Sequence, residues 1–247
     1  MIITPIRSGK INEKDDIADI LFSCLKEKIR YGDIIVFASK IVSLWQGRVS
    51  DLSLIEPSDY AIKLGKKYSL ESEFTELVIR EADHIVGGVD KAILTIKNNI
   101  FIANAGIDRS NAPGNHAILW PDKPFEAAHM LRKKIEKKFG IKAGVIIADS
   151  HCTPLRLGTS GIAIAYAGFC PVADERGRKD IFGRKLKITQ RNIADSLAAS
   201  AVLLMGEADE KMPFAIIRNS GVKIKETKKT NVIKPNDCIF SSLYPRL

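Results

Sequence analysis

The chain has 247 residues, of which 45% are hydrophobic and 27% charged, a balance typical of a folded globular protein and not of a disordered one. Its formal net charge is +9, and much of the excess lies in residues 132–142 and 223–234. Neither segment carries the interleaved aromatic side chains that stack on nucleic-acid bases, so we expect solvated surface or small anionic ligands, with nucleic-acid binding as the weaker alternative.

The four cysteines and four histidines are dispersed, without the spacing of a zinc site, a redox pair or a disulfide framework. Four reduced thiols fit the cytosol. No apolar run approaches the roughly 20 residues of a membrane-spanning helix, and the first residues lack the apolar core of a signal peptide. We therefore expect a cytoplasmic protein without membrane association.

The first third of the chain predicts helices around one buried strand. Apolar residues recur at three- and four-residue intervals over 13–30, with acids at the start and bases at the end, which predicts an amphipathic helix. Segment 33–44 is rich in β-branched residues and predicts a buried strand. Two short helices are predicted near 57–67 and 72–82.

From His84 to Asp108 the pattern changes to strands, and residues 92–106 predict a hairpin with Asn98 and Asn99 at its turn. Because helices and strands mix without strict alternation and hairpins are frequent, we expect an α+β fold with largely antiparallel sheets in two intimately joined lobes. We expect one unit over 1–247, with a possible inserted lobe at about 83–190. The later elements are predicted as helices over 123–138 and 192–206, strands over 143–149, 160–169 and 213–220, and a hairpin over 178–189.

Three acidic residues stand where predicted elements end: Asp108, Asp149 and Glu207. Ends of rigid elements commonly present functional groups. Carboxylate oxygens suit Mg²⁺ or Mn²⁺, which prefer hard ligands. Taken singly, each acid is more often a cap or turn residue than a ligand, and sequence spacing does not show that the three converge.

The sequence carries neither of the common glycine-rich nucleotide motifs, GxxxxGK[ST] and GxGxxG, and "RSGK" at 7–10 lacks the upstream glycine of a P-loop. Any nucleotide is therefore held in another way. The loop framed by Gly106, Pro113 and Gly114 could present backbone N–H groups to a phosphate.

The neighbouring residues His151 and Cys152 suggest a Cys/His hydrolase. Adjacent residues of an extended segment point to opposite sides, so a hydrogen-bonded catalytic pair is disfavoured. The sequence favours Asp149 and Ser150 as oxygen ligands, with Arg156 nearby to contact an anionic substrate.

The chain contains, in this order, "ITPIRSGK", "NAGIDRSN", "GVIIADS", "GIAIAYAGFCPVADERGRKDIFGRKLKIT" and "NIADSLAASAVLLMGE". In order and spacing these segments resemble the coenzyme F420-0:gamma-glutamyl ligase family, over nearly the whole chain. The family joins L-glutamate to a carboxylate of a deazaflavin coenzyme precursor, using GTP and divalent metal, and forms intertwined homodimers without a P-loop. The resemblance implies that the nucleotide phosphorylates the substrate carboxylate and that the glutamate amine attacks the acyl phosphate.

The resemblance also implies site residues. Asp108 and Asp149 are the implied ligands of one Mg²⁺ or Mn²⁺ ion, with Ser150 where the family usually has threonine, and Glu207 is the implied ligand of a second ion. Asp149, Asp108 and Arg156 are the implied catalytic residues. The implied contacts to GTP or ATP are Ser8, Gly9, Lys10, Ile11, Ser39, Lys40, Asn111, Met205, Gly206 and Glu207.

Two segments depart from the family pattern. The chain has "SLWQGR" at 43–48 where the family commonly has "SKAEGR", so Leu44 replaces a lysine matched to the nucleotide. It has "DSHCTPLR" at 149–156 where most members have "DTxGRxxR". These departures suggest an altered acceptor, and reduced folate, which undergoes the same type of glutamylation, is the alternative to the deazaflavin.

Overall fold

The computed structural model describes residues 1–227 and 230–243 and confirms an α+β fold with mostly antiparallel sheets. The α-helices in this part of the chain are α1 (Ile17–Cys24), α2 (Ser39–Trp45), α3 (Asp59–Tyr68), α4 (Ser72–Glu81), α5 (Pro124–Phe139) and α6 (Ile193–Met205). The strands are β1 (Ile2–Ile6), β2 (Ile34–Ala38), β3 (Val49–Asp51), β4 (His84–Val89), β5 (Ala92–Lys97), β6 (Ile100–Ala103), β7 (His116–Ile118), β8 (Gly144–Cys152), β9 (Thr159–Ala167), β10 (Val172–Asp174), β11 (Gln190–Asn192) and β12 (Phe214–Arg218).

A five-stranded sheet in the order β1-β12-β2-β8-β9 forms the centre of the molecule. Strands β2 and β8 pair in parallel, and the other neighbours pair antiparallel. Successive side chains of β2 alternate between its faces: Ile35 and Phe37 pack with α1 and α5, whereas Ile34 and Val36 pack with α6. Helices therefore cover both faces of the sheet, which explains the continuous apolar run in this strand.

A second hydrophobic cluster lies outside the central sheet. Helices α3 and α4 pack against each other and against the turn that follows β6, with Leu52, Val78, Ile93 and Ala105 fully or almost fully buried. Strands β4, β5 and β6 form a three-stranded antiparallel sheet, and β3 pairs with β7. This cluster supports the chain immediately before Asp108.

Two predicted elements are wrong in their bounds. The helix predicted over 13–30 is limited to α1, because the Asp16 carboxylate caps it by accepting the N–H groups of Ala18 and Asp19, and the chain is extended again at Leu25. The strand predicted over 33–44 ends at Ala38 and continues as α2. β-branched residues placed on the buried side of a helix produce the same apolar pattern as a buried strand.

The strand predicted over 143–149 is longer than expected. Its parallel pairing with β2 ends at Ala148, but its antiparallel pairing with β9 continues to Cys152. Asp149 therefore lies within β8, at the point where one neighbouring strand stops and the other continues. The sequence pattern does not show this because it carries no information on which partner a strand has.

The predicted hairpin at 92–106 is confirmed: β5 and β6 pair antiparallel through Asn98 and Asn99, whose φ angles of 51° and 59° suit a tight turn. The predicted hairpin at 178–189 is confirmed in its inner part, where Lys179 pairs with Lys185. The remaining helices and strands match their predicted positions to within a few residues, and within the described ranges no helix is long and apolar enough to span a bilayer.

The division of the chain into lobes stays a prediction. Strands β8 and β9 fall within the predicted inserted lobe, 83–190, and both belong to the five-stranded sheet. The cluster around α3 and α4 draws its residues from 52–119, which overlaps only part of that range.

Candidate active site

A cavity of about 880 Å³ opens where β2 passes into α2 and where the parallel pairing of β2 with β8 ends. The carboxyl edge of parallel strands commonly binds ligands because the loops that leave the strands surround it. Five segments that are distant in the sequence meet around this cavity. Of the predicted site residues, Ser8, Gly9, Lys10, Ile11, Ser39, Lys40, Asp108, Asn111, Asp149, Ser150, Met205, Gly206 and Glu207 line it.

Asp149 is placed on the inner side of the cavity by β8. Its carboxylate accepts the backbone N–H of Ser150 at 2.7 Å, and the Ser39 side chain also hydrogen-bonds to it. Burial nonetheless raises the pKa of Asp149 to about 6, and the nearby negative charge of Asp108 adds to this effect. Both causes act against the ionised carboxylate, so a positive charge bound here would be favoured.

Asp108 faces the same cavity from the loop after β6. Its backbone exchanges two hydrogen bonds with Ile118, of 3.0 and 2.8 Å. Lys40 Nζ donates to Asp108 Oδ2 at 2.6 Å and to the Ser110 hydroxyl at 2.8 Å. Burial raises the pKa of Asp108, but the hydrogen bonds from Lys40 and Ser110 outweigh it and hold the pKa below its ordinary value. The carboxylate is therefore ionised at neutral pH.

Loop 206–213, which follows α6, forms a third side of the cavity. Glu207 accepts a hydrogen bond from the hydroxyl of Ser150, which links the loop to β8. Hydrogen bonds also join this loop to the lining segments that contain Ser8 and Asn111, so the segments around the cavity stabilise one another. These bonds join Ser8 N–H to the Lys211 carbonyl at 2.9 Å and Asn111 Nδ2 to the Ala208 carbonyl at 3.4 Å.

The donors at the site suit a hard divalent cation in kind. Asp108, Asp149, Ser150 and Glu207 offer the carboxylate and hydroxyl oxygens that Mg²⁺ and Mn²⁺ prefer. As the side chains stand, the described residues contain no group of three His, Cys, Asp or Glu side chains arranged to hold a metal ion. Lys40 supplies the positive charge at Asp108. An ion that binds Oδ2 of Asp108 therefore competes with the Lys40 ammonium for that oxygen.

Arg156 is the predicted site residue that the structure does not bring to the cavity wall. It lies on the exposed loop between β8 and β9. His151 and Cys152 do line the cavity, but β8 runs through both of them, and successive side chains of a strand leave opposite faces. The strand geometry therefore disfavours a bonded Cys/His pair.

Two features of the site were not predicted from the sequence. Ser110 holds Lys40, and its backbone N–H donates to Asp108 Oδ1 at 2.7 Å. An aspartate followed two residues later by serine is a pattern typical of such a turn and could have indicated it. The apolar part of the lining, which includes Ile41, Leu44 and Ile107, is the second feature, because apolar residues that line a cavity carry no sequence signal that separates them from the core.

Residues 5–219 match the family model described as F420-0:gamma-glutamyl ligase. The chain belongs to this family. It is 42% identical over 210 residues to the coenzyme F420:L-glutamate ligase of Methanocaldococcus jannaschii, covering 85% of this chain and 84% of that protein. It is 39% identical over 238 residues to the protein of the same name from Methanococcus maripaludis strain C6, covering 96% and 94%, and 33% identical over 212 residues to that of Archaeoglobus fulgidus, covering 86% and 84%.

Membership of the F420-0:gamma-glutamyl ligase family confirms the resemblance drawn from the ordered motifs. The matched range contains the three acidic residues of the cavity that were predicted as metal ligands, Asp108, Asp149 and Glu207. It also contains the segments at 43–48 and 149–156 where the chain departs from the usual pattern.

Proposed function

We propose that this protein is a glutamate ligase, which joins the amine of L-glutamate to a carboxylate of a deazaflavin coenzyme precursor at the expense of GTP or ATP. The observation that carries the proposal is that a member of the F420-0:gamma-glutamyl ligase family gathers Asp108, Asp149 and Glu207 around one cavity. The relatives compared above are named as ligases of L-glutamate and coenzyme F420.

The proposed reaction consists of two group transfers. An oxygen of the acceptor carboxylate attacks the γ-phosphorus of the nucleotide, which forms an acyl phosphate and releases the nucleoside diphosphate. The glutamate amine then attacks the acyl carbon and loses a proton, and inorganic phosphate departs with the electron pair of the broken C–O bond. Negative charge spreads over the transferring oxygens in both steps, so catalysis depends mainly on positioning and on electrostatic stabilisation.

The residues of the cavity suit these tasks. Asp108, Asp149, Ser150 and Glu207 would hold Mg²⁺ or Mn²⁺ through oxygen, and such an ion neutralises phosphate charge when bound. Lys40 lines the cavity together with Lys10 and Lys211, and its bond to Asp108 places its ammonium group beside the proposed metal ligands, where it would contact a phosphate. The backbone around Ser8 borders the same space and offers further polar contacts.

The acceptor is the least constrained part of the proposal. Apolar side chains such as Ile41, Leu44 and Ile107 line part of the cavity, as is typical of pockets that bind ring systems. His151 and Cys152, where the chain departs from its family pattern, border the same cavity, and this supports testing reduced folate as a second acceptor beside the deazaflavin precursor.

The proposal is tested by incubating the purified protein with GTP or ATP, Mn²⁺ or Mg²⁺, L-glutamate and each acceptor, and by weighing the products. A product heavier by one glutamyl residue identifies the acceptor.

We expect Asp149→Asn to lower glutamate-dependent phosphate release by about 10²- to 10³-fold, as typical for a lost electrostatic group. Asp90→Asn, the same change on the exposed turn between β4 and β5, serves as the control. A folded Asp149→Asn protein with wild-type turnover contradicts the assignment.

Two alternatives have their own outcomes. A Cys/His hydrolase predicts that Cys152→Ser abolishes activity, whereas the ligase predicts little effect. A nucleic-acid-binding protein predicts an affinity whose logarithm falls with the logarithm of salt concentration, with a slope of about 0.9 per phosphate contacted. Weak binding that does not respond to salt excludes that alternative.

We also propose that the protein is a homodimer. Five large apolar side chains on the segments after β8 and β10 are more than three-quarters exposed in the single chain, as expected of side chains that a second copy covers. These side chains are Leu155, Leu157, Ile181, Phe182 and Ile188.

A further inference from the structure

The turn that follows β6 has an unusual backbone. Asn104, Ala105 and Gly106 are consecutive residues with positive φ angles of 52°, 53° and 72°. Residues with a Cβ atom adopt this conformation rarely and usually singly, because the Cβ is crowded by the following carbonyl group. Ala105 is, in addition, completely buried. Contacts elsewhere in the fold must therefore hold this turn against its own backbone preference.

Three hydrogen bonds between β5 and residues 102–105 hold the turn. Thr95 Oγ1 accepts the N–H of Ala105 at 2.9 Å and donates to the carbonyl of Ile102 at 2.7 Å. Asn104 Oδ1 accepts the N–H of Ile93 at 2.9 Å. The backbone pairing of β5 with β6 ends at Ala103. Beyond that residue, side-chain hydrogen bonds connect the two segments in place of backbone ones. The Thr95 hydroxyl is completely buried and both donates and accepts.

The turn leads directly to Asp108. After Gly106 the chain leaves the three-stranded sheet, and Asp108 pairs with Ile118 at the end of β7. A side chain at Gly106 has no room, because a Cβ there would lie 1.9 Å from Cε3 of Trp120. The course of the chain into the cavity is therefore set on one side by the turn and on the other by the pairing with β7.

We propose that Thr95 is a positioning residue for Asp108. Through its buried hydroxyl it fixes the left-handed turn, and the turn fixes the place from which the Asp108 carboxylate enters the cavity. Thr95 thereby sets the affinity of the site for a divalent cation without touching the ion. The inference rests on the proposed function in one respect, namely that Asp108 is a ligand of that cation.

The test is a titration of the purified, nucleotide-bound protein with Mn²⁺, in which free Mn²⁺ is measured by electron paramagnetic resonance. Thr95→Val removes the hydroxyl and keeps the shape of the side chain. We expect it to raise the dissociation constant for Mn²⁺ by about 10- to 100-fold, the range typical of lost supporting contacts around a metal ligand. Thr95→Ser, which keeps the hydroxyl, recovers most of the affinity.

Thr75→Val is a matched control. Thr75 is also completely buried, and its hydroxyl donates to the carbonyl of Glu71 at 2.8 Å within α4. Both valine variants lose a buried hydroxyl, so both lower the melting temperature, but we expect Thr75→Val to leave Mn²⁺ affinity unchanged. If Thr95→Val does not fold, Thr95→Cys, which keeps a small side chain with a weak donor, replaces it in the same comparison.

A double-mutant cycle with Asp108→Asn separates positioning from general loss of structure. If Thr95 acts through Asp108, then Thr95→Val has no further effect on Mn²⁺ affinity once Asp108 is replaced. Any one of three results would overturn the inference while leaving the proposed function intact. These are wild-type Mn²⁺ affinity in Thr95→Val, an equal loss of affinity in Thr75→Val, and additive effects of the two substitutions in the cycle. A wild-type protein that binds no Mn²⁺ contradicts the metal part of the proposed function, and the inference with it.

Discussion

At the scale of single residues, Asp108 and Asp149 share one cavity, yet their pKa values move in opposite directions. Lys40 contacts Asp108 directly and acts on Asp149 only at longer range. At Asp108, hydrogen bonding lowers the pKa by more than burial raises it, whereas at Asp149 burial has the larger effect and the pKa rises. Asp149 is thus an acid whose nearest partners only partly compensate for its loss of water. Such a carboxylate gains most from a bound cation.

Asp149→Asn should therefore stabilise the metal-free protein while it removes the proposed activity. The pKa of Asp149 is about 6 in the folded chain against an ordinary value of 3.8, so ionisation costs folding free energy as pH rises between these values. The difference between variant and wild type should be absent below about pH 3.8, grow toward pH 6 and stay constant above, at on the order of 3 kcal/mol.

Urea unfolding in the presence of a metal chelator measures this difference across the pH range. Asp90→Asn, on its exposed turn, should show no such pH-dependent gain. An Asp149→Asn protein that is less stable than wild type at pH 8 would mean that Asp149 contributes to folding as an ordinary hydrogen-bonded carboxylate.

At the scale of elements, the sequence predicted most of the secondary structure and missed the two places that build the site. The apolar run at 33–44 contains both β2 and α2, and the change from one to the other is what brings Lys40 to the cavity. The pairing of β8 beyond Ala148 places Asp149 inside a strand. Both features depend on tertiary partners, and hydrophobic periodicity does not encode which partner a segment has.

The supporting elements around α4 are joined by an ion cluster whose stability should depend on pH. Glu81 accepts hydrogen bonds from Arg48 at 2.7 Å and from Lys97 at 2.9 Å. Burial raises the pKa of Glu81, but these two hydrogen bonds outweigh it and the pKa is lowered. A lowered pKa stabilises the fold above the ordinary pKa of glutamate, and this contribution is lost as pH falls.

We expect Glu81→Gln to destabilise the protein by about 1–3 kcal/mol at pH 7, because two partly buried cations lose their common partner. The difference from wild type should shrink as pH falls below about 4.5, the ordinary pKa of glutamate, and through the lower pKa of Glu81 in the folded chain. Chemical unfolding at pH 7 and at a pH below about 4.5 measures this difference in the free energy of unfolding. Glu56→Gln, at an exposed position, is the control. A destabilisation that is equal at both pH values points to altered packing and not to charge.

At the scale of the whole molecule, the sequence predicted which residues form the site but not that they meet. Asp108, Asp149 and Glu207 lie on three segments, and each alone is compatible with a cap or a turn. Only the order of the sheet, which sets β8 beside β2 and brings the loop after α6 against both, gathers them around one cavity. The ordered motifs of the family indicated that these residues belong to one site, because a set of motifs shared by a family reflects a shared tertiary structure and a single spacing does not.

The exposed apolar side chains make the proposed homodimer testable. Phe182 and Ile181 lie at the tip of a hairpin closed by the pairing of Lys179 with Lys185, and they are 76% and 93% exposed. Phe182→Asp should therefore dissociate a dimer, because it places a charge in the buried interface, while the melting temperature of the separate chain changes little. Light scattering after size exclusion measures the mass of the particle.

Leu54→Asp is the control, because Leu54 is an apolar residue that is 79% exposed on another segment, and this change should leave the dimer intact. A wild-type protein that is a monomer at micromolar concentration, or a dimer that Phe182→Asp does not weaken, would contradict this role of the hairpin.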